Sequence, residues 1–357
     1  MGSKVIVLLL FLSMISGCIS YPRVSPTVNN IPTEECGDVD YYFLDSAIEC
    51  TITPEEIEAL LPVAGELKEG DIREDVWKIL EWEESKIEYD FEKASLPPAK
   101  ITTYPTGKVE ISGGSKIQSP SETVNLGRGI CTDYTVLTLA LLFATNYTEA
   151  YALEINFENS ETGHAAALVK IDGKFFVLDQ RPPVMDLGSY YLHWKKVEGK
   201  TISNATLYRV LWNNGAKVEK IGIFYPSDFL REDYTFTNFD ANRLAFDLME
   251  AIEDDFPNLR KDENLKSGKP IGYSSGKRWV MTFPNFAMYY NPEFHEQFVG
   301  QIYSNLKDTP EILADLGDHS YFWVDVKAEG DDLKIELVLV KGDQKSFNLE
   351  IKLNYGV

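Results

Sequence analysis

The sequence predicts a chain of mixed helices and antiparallel strands, and three features carry that reading. Thr53-Pro54-Glu55-Glu56 has a capping residue, proline at the first turn and acids near the positive end of the helix dipole. Ile57, Leu60 and Leu61 follow at helical spacing, so a helix is expected to about Leu67. From Tyr134 to Thr145 the chain is apolar nearly all round, the signature of a buried helix. Asp172-Gly173 separates the apolar runs Ala165 to Ile171 and Lys174 to Gln180, a strong two-residue hairpin signal.

The remaining elements follow in order. Lys4, an apolar run from Val5 to Met14 and Ile15-Ser16-Gly17-Cys18 read as a signal peptide over 1–18 ending in a lipobox, with Cys18 as the lipidation candidate. An uncleaved N-terminal membrane anchor is the alternative. Both place the rest at the extracytoplasmic face of the cell membrane. Residues 19–50 are expected to form a tether, rich in Pro, Ser, Thr and Asn to about residue 35, and then a disulfide loop. Cys36 and Cys50 lie 14 positions apart, and a bridge closing such a loop contributes roughly 3 kcal/mol in the chain-entropy model. Asp71 to Ala94 reads as one long amphipathic helix carrying Trp77 and Trp82, ended by Pro97-Pro98. A first folded domain is expected over 51–220 and an α+β C-terminal region of unknown role over 221–357. In the latter, helices are expected at Asn242 to Asp254 and Phe294 to Lys307, and strands near Tyr321 to Lys327, Leu333 to Val340 and Ser346 to Leu353, the last two joined at Gly342-Asp343. The aromatic run Trp279 to Tyr290 reads as core, and Gly272-Tyr-Ser-Ser-Gly-Lys-Arg as a turn, because it lacks the residue order of a phosphate loop.

Composition narrows the function. At 357 residues and 44% hydrophobic content the chain can bury a large core, and its 34 basic against 56 acidic residues give a net charge of -22. Nucleic acid is an unsuited partner, since binding phosphates relies on an excess of Lys and Arg. Asn146-Tyr-Thr148 and Asn204-Ala-Thr206 are glycosylation sequons compatible with export. His193, His295 and His319 lack metal-ligand spacing with any Cys or carboxylate cluster, so neither a metal nor another cofactor is expected.

Four cysteines in an exported chain need to be paired or explained. With Cys18 assigned to the signal and Cys36 to Cys50, Cys131 is expected to stand unpaired, with a chemical reason for doing so. It follows Gly127-Arg-Gly129 and heads the buried helix, where the dipole and first-turn N–H groups lower a thiol pKa and the glycines would let substrate approach the backbone. Two residues in the hairpin turn fix Ile171 opposite Lys174 and therefore Asp179 opposite Ala166, diagonal to His164 on the same sheet face. Asp179 is then expected to hold one ring nitrogen of His164 while the other accepts a thiol proton. The Cys131 N–H would be one donor to an oxyanion, and Gln118 is the candidate for the second.

The residues Gly127-Arg-Gly-Ile-Cys131, Gly163-His164 and Leu178-Asp179, with the Trp-bearing helix and Ser119-Pro-Ser-Glu-Thr upstream, resemble the transglutaminase-like superfamily over roughly Asp71 to Pro183. The resemblance is closest to an uncharacterised archaeal branch. It implies an α+β, papain-like core in which the Cys-bearing helix packs on an antiparallel sheet, and a Cys131-His164-Asp179 triad acting on peptide or protein amides. Such relatives include cross-linkers, hydrolases and members without activity. The run His164-Ala-Ala-Ala departs from the small-then-aromatic pattern of many relatives, which leaves the substrate groove open. Hydrolysis is expected in preference to transfer, because water is always present and no residue marks an amine site. A catalytically silent binding or assembly module of the cell envelope is the alternative.

Overall fold

A computed structural model describes residues 36–106, 109–230, 234–267, 273 and 275–342, and the backbone alone at 4–7 and 18–19. The tether over 20–35, the side chain of Cys18, and the strand expected near 346–353 with its turn at Gly342-Asp343 lie outside these residues, wholly or in part. The chain divides into two compact units, Ser13–Asp233 and Met1–Leu12 with Tyr234–Val357.

In the first unit, helices α1 (Leu44–Thr51), α2 (Pro54–Leu67) and α3 (Ile72–Lys86) come first. Thr53 caps α2 by accepting from the Glu56 N–H, and Asp71 caps α3 by accepting from the Arg73 N–H. The expected single helix over Asp71 to Ala94 is corrected: it stops at Lys86, and Glu88–Tyr89 is a short strand, β1. The reason is tertiary. β1 pairs in parallel with β2 (Arg128–Gly129), and the Glu88 and Asp90 N–H groups donate to the carbonyls of Gly127 and Gly129 at 2.8 and 2.9 Å. Helical spacing persists in the sequence there, but the approach to Cys131 takes those backbone donors.

Helices α4 (Pro120–Leu126) and α5 (Cys131–Ala144) follow, then strands β3 (Glu149–Phe157), β4 (Thr162–Ile171), β5 (Lys174–Leu178) and β6 (Met185–Asp186). After α6 (Leu187–Leu192) come β7 (Ile202–Trp212) and β8 (Ala216–Phe224). The strands form an antiparallel sheet in the order β6-β5-β4-β3-β7-β8. The backbone of Cys18–Ile19 also pairs with β4, opposite Gly163 and Thr162. The β4-β5 hairpin has the register its turn requires, Ile171 facing Lys174 and Ala167 facing Leu178. Asp172 and Gly173 both adopt positive φ, 49° and 87°, as a two-residue hairpin turn demands. Almost every residue of α5 is buried between the other helices and the sheet, which is why its sequence shows no polar face. The strands β7 and β8 had no counterpart in the sequence reading.

In the second unit, α7 (Asn238–Asp255), α8 (His295–Lys307) and α9 (Pro310–Asp318) accompany strands β9 (Ser275–Phe283), β10 (Tyr321–Glu329) and β11 (Asp332–Lys341). β11 lies between β9 and β10, antiparallel to both. The turn expected over Gly272 to Arg278 is corrected: Ser275 to Arg278 open β9, because they pair with Lys341 to Val338 of β11, while Gly272 and Ser274 lie outside the described residues; the aromatic run supplies core residues such as Phe283, Phe286 and Tyr290. The backbone of Lys4–Val7 pairs in parallel with β9. Among the described residues no helix is long and apolar enough to cross a membrane.

Candidate active site

The approach to Cys131 is built by local rules. Ser119 caps α4 through the Glu122 N–H, Pro120 occupies its first turn, and Gly127 ends it in the left-handed conformation at φ 61°. Four residues later the chain enters α5 at Cys131, in a first turn where N–H groups have no intrahelical acceptor. Asp133 secures this geometry. Its fully buried carboxylate accepts from the backbone N–H of Ile130 and of Gln118, each at 2.8 Å, and from the Lys93 ammonium through both oxygens at 2.9 and 2.7 Å. Burial pushes its carboxyl up, and the Lys93 charge is the largest influence pulling it back. An acid three residues into a helix is a recognisable sequence signal, and Asp133 carries it.

Gly129 is needed for a different reason from the one expected. A Cβ there would come within 2.8 Å of the Asp133 Cβ and 3.3 Å of the Thr123 Cγ2, so the glycine makes room for the carboxylate that holds the loop. Gly129→Ala is expected to destabilise the protein by about 1–3 kcal/mol, read as a lowered thermal unfolding midpoint. An unchanged midpoint would show that the loop yields freely.

His164 and Asp179 meet as the hairpin register requires, with the His164 Nε2 donating to Asp179 Oδ2 at 2.8 Å. Both are almost wholly buried. The Tyr190 hydroxyl donates to the same oxygen at 2.7 Å, and the Gln180 amide donates to Oδ1 at 3.1 Å. Burial works to raise the Asp179 carboxyl, but the His164 charge and the bonds from His164 and Tyr190 outweigh it, and the carboxyl ends below its usual range. The other ring nitrogen, His164 Nδ1, is buried without a hydrogen-bond partner among the described residues. Trp194 packs edge-on to the ring, centroids 4.8 Å apart, and seals that side from water. Tyr190 and Trp194 went unread in the sequence. Their signal was the i, i+4 aromatic pair following Asp186, which caps α6 by accepting from the Ser189 N–H.

A cleft open to solvent is lined by His164, by Ile130 and Thr132 on either side of Cys131, and by Lys93 and Glu154. His164 and the two residues that flank Cys131 in sequence therefore line the same cleft. One expectation is overturned: Cys131, taken to be unpaired, is disulfide-bonded and wholly buried. Pairing follows from distances between folded segments, and assigning each cysteine a fate from the sequence supplied none of them. Cys36 and Cys50 form the expected bridge, Cα atoms 6.0 Å apart. With Asp40 they make the one group of His, Cys, Asp or Glu among the described residues close enough to hold an ion, but both sulfurs are committed to each other.

Gln118 is buried, its Oε1 accepting from the Thr123 hydroxyl at 3.1 Å, which leaves the amide nitrogen as its donor end. Its backbone is tied to the α5 N-terminus through Asp133. His193 is a core residue whose imidazole burial pushes down to about 4, so it is neutral at neutral pH. His295 lies buried between Tyr290 and Asp247, and His319 contacts the Asp315 carbonyl. Asn146 is exposed just beyond α5, whereas the side chain of Asn204 is engaged by Asn156 and Ser203 within the sheet.

A family model described as a transglutaminase-like domain matches residues 58–208. A UPF0252 protein of Pyrococcus horikoshii is 35% identical over 83% of this chain and 88% of its own length, and one of Archaeoglobus fulgidus is 35% identical over 89% and 95%. Against Legionella pneumophila LapG the TM-score is 0.27 at 13% identity, covering 42% of this chain and 80% of that one, a likeness too low to carry an argument. The α+β fold and the matched residues agree with the expected superfamily, and the chain belongs to the UPF0252 family, with a transglutaminase-like domain at its core.

Proposed function

We propose that this protein is a thiol enzyme acting on amide bonds of peptides or proteins at the extracytoplasmic face of the membrane, held there by an uncleaved N-terminal anchor or, in the form with Cys131 reduced, by a lipid on Cys18. The observation that carries this reading is the buried His164-Asp179 pair with Nδ1 unbonded, His164 lining a cleft shared with Ile130 and Thr132, the sequence neighbours of Cys131. In the reduced protein, His164 Nδ1 takes the Cys131 proton while Asp179 steadies the resulting imidazolium. The thiolate adds to the amide carbonyl, and the oxyanion is met by the Cys131 N–H and the Gln118 amide. His164 returns the proton to the departing amine, leaving a thioester that water hydrolyses. Hydrolysis is favoured because the cleft is open to solvent.

The disulfide at Cys131 supports a second reading, a catalytically silent module that keeps the fold to dock envelope proteins. Alkylation separates the two. After reduction by a dithiol, Cys131 of the enzyme is expected to react with iodoacetamide well below pH 8, and His164→Ala is expected to slow that reaction by about tenfold or more. Equal rates in wild type and variant, measured on the Cys131 peptide by mass spectrometry, would favour the silent module.

A further inference from the structure

The charged residues that line the cleft are Lys93 and Glu154, and both are engaged. The Lys93 ammonium is held by both oxygens of Asp133. Glu154 lies on β3, and the Tyr208 hydroxyl donates to its Oε2 at 3.1 Å. Neither is at liberty to pair with a charge on a substrate. What the cleft does present is apolar wall, including Leu44, Leu96 and Ile117. Leu96 is 41% exposed, whereas Leu44 and Ile117 are buried, so Leu96 is the part of that wall a ligand can cover. It is also fixed in place. Its N–H donates to the Lys93 carbonyl at 3.2 Å, and the Lys93 side chain is tied to Asp133 in the first turn of α5. Besides His164 Nδ1, one more buried polar atom there is unspent: Oγ1 of Thr132, the residue after Cys131, has no hydrogen-bond partner among the described residues.

We infer that the cleft receives an uncharged, apolar side chain next to the amide to be attacked, with Leu96 as the specificity-determining residue and Thr132 Oγ1 as the hydrogen-bonding contact to the amide group itself. This rests on the thiol reading of Cys131 proposed above. Apolar surface moved from water onto such a wall is favoured in proportion to its area. A charge on the substrate sheds water there without gaining a counter-charge. An amide offers one donor and one acceptor, and a hydroxyl can meet either. The net charge of -22 attracts cations to the whole surface, so a preference for an apolar side chain over a lysine runs against that field and belongs to the cleft.

The test uses the full chain, reduced with a dithiol and freed of it, and the N-chloroacetyl derivatives of leucinamide, glycinamide, lysinamide and glutamic acid α-amide. In each case the Cys131 thiolate attacks the chloromethyl carbon, a C–S bond forms as the C–Cl bond breaks, and chloride leaves. The rate is read at the Cys131 peptide by mass spectrometry and divided by the rate with free glutathione. The leucine probe is expected to react about tenfold faster than the glycine probe, and faster than either charged probe. Leu96→Asp is expected to lower the leucine-to-glycine ratio by about fivefold. Leu61→Asp, at an exposed position on α2, is expected to leave it unchanged. Thr132→Val keeps the side-chain volume and is expected to slow the leucine and glycine probes alike, by about threefold, relative to methyl methanethiosulfonate, which carries no amide and caps the thiol by expelling methanesulfinate. The wild-type series needs no variant and decides the matter should Leu96→Asp fail to fold by circular dichroism. A leucine probe no faster than the others on wild type, or an unchanged ratio in folded Leu96→Asp, overturns this inference and leaves the thiol reading standing. Unchanged amide rates in Thr132→Val overturn the role of that hydroxyl. Failure of every probe to modify wild-type Cys131 overturns both the inference and the thiol reading.

Discussion

Asp179→Asn is expected to leave the protein folded while lowering the rate at which reduced Cys131 is acylated by about a hundredfold or more. Three donors converge on the carboxylate, from His164, Tyr190 and Gln180. An amide has one oxygen to offer them, and its NH2 end faces donors rather than acceptors. Turned one way, the NH2 opposes the imidazole and forces the proton onto Nδ1, the nitrogen that has to receive the thiol proton. Turned the other way the tautomer survives, but the negative charge that supports the imidazolium is gone. Each factor of ten corresponds to about 1.4 kcal/mol, and loss of a buried counter-charge is worth more than one such factor. The variant retains the volume of the side chain, so circular dichroism is expected to match wild type. Wild-type acylation by a thioester or activated-amide probe would remove Asp179 from the mechanism.

The second large effect concerns stability and arises at Glu83 on α3. This side chain is wholly buried, Oε1 lies 2.7 Å from the Thr138 hydroxyl of α5, and Oε2 has no hydrogen-bond partner among the described residues. Burial raises its carboxyl to about 8, Thr138 opposes the shift, and the charge of Asp179 adds to it. The sign follows from linkage. Below pH 4.5 folded and unfolded chains both hold the proton and nothing is lost. Between that value and about 8 the unfolded chain releases the proton and the folded one retains it, so stability falls as pH rises. Above that window the loss is complete and amounts to ~5 kcal/mol. Glu83→Gln cannot ionise and is expected to remove this dependence, gaining on wild type at pH 9 but not at pH 4. Urea unfolding at the two pH values measures it. Parallel pH slopes for variant and wild type would show that Glu83 finds a charge partner when ionised.

Much of the site was legible because its placement is local. The Asp172-Gly173 turn fixes the β4-β5 register, and the register alone sets Asp179 diagonal to His164. The same logic held for the helix starts at Pro54 and Cys131, where a cap, a proline or an all-apolar run lies within one turn of the boundary. Asp71 to Ala94 failed because its helical period is real, yet β2 captures the backbone donors of Glu88 and Asp90 from forty residues away in sequence. Strands β7 and β8 were missed since a strand's identity rests on partners far along the chain, as Leu207 facing Leu153 illustrates.

The sequence by itself therefore determined the α+β class, the buried helix headed by Cys131, the His164-Asp179 hairpin and the Cys36-Cys50 loop. Only the tertiary structure decided that Cys131 is disulfide-bonded, that Asp133 and Lys93 lock its approach, that Tyr190 and Trp194 enclose the imidazole, and that Glu154 faces the same cleft. The physical division is one of range. Turns and caps are closed by hydrogen bonds spanning a few residues and leave their mark in adjacent letters, whereas sulfur pairing, buried ion pairs and cleft walls join segments whose approach no local spacing encodes.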